Sequence, residues 1–344
     1  MDGETRSAGG IGPDGSDRRF GRLLWQGRPA VEIRPAPGED GLREAFSFYL
    51  IGTHLEAAGI PVPEIFHFDR KTGVLVVEDL GDERLYEFGR RCRRSGQTKE
   101  LLERYKQVLD ILVAMQTRGA EGFRTDWCWQ GGHYDRSLCL QREAGYFLDS
   151  FIKAYLEVQV DGTLEERFMA EAAWVCAQAA DGDLFLHRDF QSRNIMLKGG
   201  RHPYIIDFQA ARLGPAGYDP ASLIHDPYAD LPWHVRQELL DYYMERFYKE
   251  ASGRSPAGAK GKRPEEFERT FWYLSLMRLL QAAGAYGFLA GVKGRSFFKD
   301  HMVSAVKGLL AVLSRPELAG LSAVPALAGM AAARLQENIE QSGL

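Results

Sequence analysis

The sequence predicts an α+β fold in two lobes, a small β-rich one over residues 1–80 and a larger, mainly helical one over residues 81–344. Two observations carry this prediction. Paired β-type runs around turn signals crowd the first lobe, whereas apolar residues recur at helical spacing through most of the second. Size agrees, because 344 residues, 45% of them hydrophobic and 26% charged, suffice for about two domains with cores of their own. That composition excludes disordered and collagen-like classes, and no internal period marks a repeat architecture.

Residues 1–14 carry no periodic pattern and are expected to be mobile. RRFGRLLW (Arg18–Trp25) and AVEIR (Ala30–Arg34) flank the turn signal GRP and predict a hairpin. Leu42, Ala45, Phe46, Tyr49 and Leu50 then recur at helical spacing until GIPVP, Gly59–Pro63, stops the helix. EIFHFDR and VLVVED around Lys71-Thr72-Gly73 predict a second hairpin. Beyond Gly81, Leu101, Leu102, Tyr105, Val108, Leu109, Leu112 and Val113 mark a long helix, with further helices expected near 138–157 and 164–179. Strand signals return only as Leu184–His187, Ile195–Leu197 and Tyr204–Asp207. Residues 251–266, rich in Gly, Pro, Ser and Lys, predict a flexible surface loop between helices. The alanine-rich stretch Leu318–Leu335 fits a helix packed either on this chain or on a partner.

A formal charge of −4 argues against a nucleic-acid partner and against a polybasic membrane anchor. Cys92, Cys128, Cys139 and Cys176 match neither a metal-binding pair nor a disulfide framework and read as reduced intracellular thiols. The N-terminus shows no apolar run of the signal-peptide kind, so a cytoplasmic location is expected. Tyr273–Val292 is long enough to span a bilayer, but Arg278 and Gln281 sit in its middle, and a buried core helix is the expected reading. No membrane role is expected.

The chemistry concentrates in HRDFQSRN, His187–Asn194, and in IIDF, Ile205–Phe208. A tight loop carrying Asp189, a short strand pair and a second acid at a strand end would gather Asp189, Asn194 and Asp207 around one point. Phosphoryl transfer from ATP needs such a set. Its transition state is highly charged, so hard oxygen ligands hold Mg²⁺ while a carboxylate orients and deprotonates the acceptor hydroxyl. Asp189 suits the catalytic base, and Asn194 and Asp207 suit the metal.

At these residues the sequence resembles the kinase-like superfamily, whose catalytic loop runs HRDxxxxN with an acidic metal ligand downstream. It departs from protein kinases in carrying Gln191 in place of the loop lysine and Asp207-Phe208-Gln209 in place of DFG, and no APE follows. HRDFQSRN, IDFQ and GPAGYDPASL (Gly214–Leu223) together look like the aminoglycoside phosphotransferase family of small-molecule kinases. DGSDRRFGRL (Asp14–Leu23), VEDLGD (Val77–Asp82) and IIDFQAARLGPAGYD are similar to that family's bacterial kinases of cell-wall amino sugars, which phosphorylate the anomeric hydroxyl of N-acetylmuramate and N-acetylglucosamine.

The resemblance implies a two-lobed protein-kinase-like fold, with residues 1–80 as the nucleotide-binding lobe and residues 81–344 as the catalytic and substrate lobe. It implies ATP and Mg²⁺ as cofactors, a small sugar as the partner, and a place in cell-wall sugar recycling. Gly15, Ser16, Asp17 and Arg18 would lie over the ATP phosphates. The lysine that normally grips those phosphates is missing from AVEIR, where Arg34 is the nearest cation; Arg34 could substitute with Glu44 as its ion-pair partner, or Ile33 could face inward instead. Val77–Leu80 would form the adenine hinge, with Glu78 and Asp79 acting through their main chain and Leu80 also lining the nucleotide. His187, Arg193 and Asp219 would support the catalytic loop. Glu143 and Arg278 sit on helices that resemble the substrate side of the sugar kinases. Two alternatives stay open: a related kinase acting on an aminoglycoside, a choline-like alcohol or another metabolite, and a nucleotide-binding pseudokinase, which the missing lysine motivates.

Overall fold

A computed structural model describes residues 17–253 and 264–342. The expected mobility of residues 1–14, the candidate residues Gly15 and Ser16, and most of the loop expected over 251–266 lie outside the described residues. The described residues fall into two compact units. The first draws on Met1–His133, Leu184–Leu213 and Glu245–Arg254, the second on Tyr134–Asp183, Gly214–Met244 and Ser255–Leu344. Compactness therefore does not follow a single cut after residue 80, because helices beyond that point pack against the short strands of Leu184–Leu213.

The first unit opens with β1 (Arg19–Trp25) and β2 (Arg28–Arg34), paired antiparallel from Arg19↔Arg34 to Trp25↔Arg28. Their turn is Gln26-Gly27, one step ahead of the expected GRP, with φ of 50° and 80°. Positive φ at both central residues gives a turn whose twist matches the strands, so Arg28 and Pro29 belong to β2. The helix α1 (Glu39–Ala57) follows and buries Ala45, Phe48, Ile51 and Leu55 along one face. β3 (Ile65–Phe68) and β4 (Leu75–Glu78) form the second hairpin, with a bulge between Ile65 and His67. The resulting antiparallel sheet has the order β1-β2-β4-β3.

Next come α2 (Leu85–Ser95) and α3 (Thr98–Thr117), the latter burying Tyr105, Val108, Leu109 and Leu112 as its spacing predicts. α4 (Arg136–Cys139), in the second unit, runs straight into wide π-type turns over Leu140–Gly145 and Phe147–Tyr155, a distortion that the sequence reading did not include. α5 (Gly162–Ala179) starts at Asp161, whose carboxylate accepts from the Leu164 amide at 3.0 Å and so caps the helix.

The chain then returns to the first unit with three short strands, β5 (Leu184–Leu186), β6 (Ile195–Lys198) and β7 (His202–Ile205). β6 pairs antiparallel with β7, Ile195 opposite Ile205. β5 pairs with β8 (Arg212–Gly214), three residues too short to leave a pattern.

The second unit continues with α6 (Tyr218–Ile224) and α7 (Trp233–Gly253), whose last residues rejoin the first unit, and then α8 (Pro264–Gly291). α8 is buried on nearly every side and includes Arg278. Among the described residues no helix is long and apolar enough to cross a membrane. α9 (Lys299–Leu313) packs on α8. α10 (Ala323–Ser342), which holds most of the alanine-rich stretch, packs on α5 and α9 of this same chain. Glu171 of α5 fixes its start by accepting from the Ser322, Ala323 and Val324 amides at 2.9–3.0 Å.

Candidate active site

All three oxygen-bearing residues singled out by their spacing belong to the first unit, on the return segment Leu184–Leu213. The apolar strand β5 buries Leu184, Phe185 and Leu186 and delivers His187, itself buried, to the start of the loop. The His187 Nε2 lies 2.9 Å from the Ile206 carbonyl, bracing the loop against the residue that precedes Asp207. Arg188 takes a positive φ of 78°, turning the chain sharply before Asp189, and its Nη1 donates to Gln130 Oε1 at 2.9 Å. Asp189 is half-buried, and its main-chain carbonyl accepts from the Gln191 amide and from Asn194 Nδ2, both at 2.9 Å.

These two bonds define what Asn194 can do. With Nδ2 committed to the loop carbonyl, its Oδ1 faces away across the planar amide as an acceptor. The Asn194 carbonyl in turn accepts from the Ile206 amide at 3.0 Å, so Asp189, Asn194 and the approach to Asp207 are tied by main-chain bonds. Arg193 stacks its guanidinium over the Tyr86 ring, 5.8 Å from its centroid.

Asp207 adopts the left-handed conformation, φ 66°, where a non-glycine residue is uncommon and is held by its surroundings. Phe208 supplies that hold, fully buried against Phe48 of α1 at 4.7 Å between ring centroids. The Asp207 carboxylate takes Arg18 Nη2 at 2.6 Å and Gln209 Nε2 at 3.0 Å, both on Oδ1. Burial works against its ionisation, but the Arg18 charge and the two hydrogen bonds outweigh it, and the carboxyl titrates below the usual range. Arg18 Nη1 also lies 3.7 Å from Glu44 Oε1, and Gln209 Nε2 reaches the same oxygen at 3.1 Å. Glu44 is shifted the other way, upward, because desolvation exceeds the help it receives from Arg18 and Gln209.

The ion-pair partner of Glu44 is thus Arg18 and not Arg34. Strand alternation turns Ile33 inward and leaves Arg34 exposed, paired with Glu32 at 2.7 Å. Asp17 is exposed in the bend before β1. At the expected hinge, the Glu78 amide donates to the Glu64 carbonyl at 2.9 Å and the Asp79 amide to the Pro29 carbonyl at 3.3 Å. The Glu78 carboxylate pairs with Lys198. Among the described residues the Leu80 amide has no such partner, so of Glu78 and Leu80 only Leu80 offers a main-chain donor.

Three candidates fall in the second unit. Asp219 is fully buried in the first turn of α6. Glu143, expected against substrate, is 1% exposed and accepts from the Tyr134 hydroxyl at 2.8 Å and the Tyr218 hydroxyl at 2.6 Å, so both of its oxygens serve the core. Arg278, likewise expected against substrate, is buried, donating from Nε to the Ser222 hydroxyl at 2.8 Å and from Nη1 to Gln281. Sequence reasoning missed Gln209, which like Arg18 touches both Glu44 and Asp207; its only signal was its place where DFG has glycine.

The donor set suits Mg²⁺. Asp207 gives a carboxylate and Asn194 an amide oxygen, both hard ligands, and magnesium completes its shell with waters and phosphate oxygens. Among the described residues no group of three or more His, Cys, Asp or Glu could hold a metal.

Comparisons with known proteins show the family. The phosphotransferase enzyme family profile matches residues 10–254. An N-acetylmuramate/N-acetylglucosamine kinase of Pseudomonas aeruginosa is 28% identical over 90% of this chain and 86% of its own length. The enzyme of the same name from Neisseria meningitidis serogroup B is 28% identical over 77% of this chain and 75% of its own. The crystal structure of an ADP-bound aminoglycoside phosphotransferase superposes with a TM-score of 0.54 at 13% identity, over 89% of this chain and 91% of that one, and so shares the fold. Because the profile takes in most of the chain, including every residue from Arg18 through Asp207, the protein belongs to the phosphotransferase enzyme family.

Proposed function

We propose that the protein is an ATP- and Mg²⁺-dependent sugar kinase that transfers the γ-phosphoryl group to the anomeric hydroxyl of N-acetylmuramate or N-acetylglucosamine. The observation that carries the reaction type is the braced loop in which the Asn194 side-chain amide holds the Asp189 carbonyl and the Asn194 carbonyl holds the Ile206 amide, next to Asp207. The name shared by the curated relatives supports the acceptor.

In this reading Asp189 accepts the proton of the acceptor hydroxyl as its oxygen attacks phosphorus, and ADP leaves with the electron pair of the broken P–O bond. Asp207 and Asn194 would hold Mg²⁺, which when bound neutralises charge on the phosphate oxygens. His187 keeps the loop registered on Ile206, so that Asp189 needs little reorganisation at the moment of transfer. The Leu80 amide is the donor to the adenine edge. A reaction that spends ATP on a free amino sugar belongs in the cytoplasm, where a recycled sugar is recaptured as its phosphate.

An ADP-release assay with Mg-ATP tests this, offering N-acetylglucosamine, N-acetylmuramate, glucosamine, choline and kanamycin in turn, followed by phosphorus NMR of the product. Turnover that depends on an N-acetylated sugar and yields a C1 phosphate is expected. Turnover with choline or kanamycin alone would reject the acceptor, and tight ATP binding without turnover on any acceptor would reject the activity.

A further inference from the structure

AVEIR contains no lysine; Ile33 is buried, Arg34 turns out to Glu32, and Arg28 at the start of β2 pairs with Glu64. The cation at the site comes instead from the residue just before β1. Arg18 is largely buried, spans Glu44 and Asp207, and has the Phe20 ring at its side, 5.6 Å from the guanidinium carbon. Among the described residues, no other cation is ion-paired with either carboxylate.

We propose that Arg18 does the work of the missing strand lysine and is also a latch on Asp207, so that a divalent ion gains this carboxylate only as the guanidinium passes to the nucleotide's phosphates. The proposal rests on the phosphoryl-transfer reading above and adds an order of events to it. Asp207 Oδ1 already accepts from Arg18 and from Gln209. A divalent cation on the same carboxylate would meet the guanidinium at contact distance in a half-buried site, where like charges are poorly screened. The Arg18–Asp207 contact and metal binding therefore compete.

A polyphosphate resolves the competition. Its charge exceeds that of one carboxylate, and the planar fork of arginine matches phosphate oxygens in pairs. Arg18 is the residue immediately before β1, so the move leaves the β1 pairing, which starts at Arg19↔Arg34, in place. Gln209 stays behind, bonded to Glu44 and Asp207, and keeps the released carboxylate in place.

The test titrates Mn²⁺, visible by electron paramagnetic resonance, into the full chain without nucleotide, and separately measures ADP binding in EDTA. Arg18→Gln should bind Mn²⁺ at least tenfold more tightly than the unsubstituted protein, and adding Asp207→Asn should erase that gain. The same variant should lose at least tenfold in ADP affinity. Arg18→Gln that melts normally but binds Mn²⁺ and ADP like the parent overturns the proposal. If Arg18→Gln does not fold, Arg18→Met carries the test, because it keeps the apolar stem and removes the charge: unchanged Mn²⁺ affinity overturns the latch. A parent protein that binds neither ADP nor Mn²⁺ in the presence of ADP refutes the phosphoryl-transfer reading itself, and the latch falls with it.

Discussion

Asp189 and Asp207 are both carboxylates a few residues from a short strand, yet their surroundings give them different work. Asp189 sits half-buried on a loop fixed through its own carbonyl, and its replacement leaves that brace intact. Asp189→Ala is therefore expected to lower kcat by roughly 10²- to 10⁴-fold, the usual worth of a general base, with nucleotide affinity little changed; steady-state kinetics beside an ADP titration would show it. Asp207 is instead held ionised by Arg18 and Gln209, and its depressed pKa has a sign. The stability it contributes is complete above the ordinary aspartate value, about pH 4, and is lost as pH falls through the lower folded value. Urea melts of the parent and of Asp207→Asn should hence converge as the pH is taken down from 5 to 3. At this scale the sequence was legible where contacts are local: HRDFQSRN holds Asp189, Asn194 and the His187 that braces their loop within eight neighbours. It was illegible where a partner lies 189 residues away, as Arg18 does from Asp207.

Elements tell a similar story through backbone approach. α8 passes the widened turns of Leu140–Gly145 and Phe147–Tyr155 so closely that a Cβ on Gly284 would stand 2.8 Å from the Tyr146 carbonyl carbon, and one on Gly287 would stand 2.8 Å from the Ser150 carbonyl oxygen. Backbone atoms cannot step aside as a flexible side chain can. Gly284→Val and Gly287→Val should each destabilise the protein by about 1–3 kcal/mol through overpacking, measured as a fall in the urea midpoint. The spacing of apolar residues announced α3 and both hairpins, and it announced α1 although the face α1 buries runs through Ala45, Phe48, Ile51 and Leu55 and leaves Leu42, Phe46, Tyr49 and Leu50 half-buried. It announced neither the π-type turns, whose side chains keep an approximately helical order, nor β8, which is too short for alternation to show. The Gln26-Gly27 turn was misplaced by one residue because GRP is the stronger turn signal, while the twist of the strands selects positive φ at Gln26.

For the molecule as a whole, acid sensitivity should come from more than the active site. His225 is fully buried in the second unit, its Nδ1 accepting from Arg236 Nη1 at 3.3 Å. Burial, and then the Arg236 charge, hold it neutral well below the ordinary histidine value. An unfolded chain regains the proton, so stability is full above about pH 6.5 and falls on acidification by roughly 1.4 kcal/mol per pH unit until the folded group titrates. Denaturant midpoints at pH 7, 6 and 5 should decline in the parent and decline less in His225→Gln. Ligand linkage acts in the opposite direction: ADP with Mg²⁺ at a hundredfold excess over its Kd should raise stability by about 2.7 kcal/mol, read as an upward shift in Tm.

The interrupted course of the first unit also bears on how the protein is made. Its sheet and α1 leave the ribosome early, but the Phe208 ring that packs on Phe48 is still to come, with Tyr134–Asp183, which belongs to the other unit, translated in between. At about 5–20 residues per second the wait between His133 and Leu213 is on the order of ten seconds. For that interval the nascent chain leaves Phe48 of α1 without the Phe208 ring that covers it, which makes it a natural client for a ribosome-associated chaperone and makes pausing within residues 134–183 costly to yield.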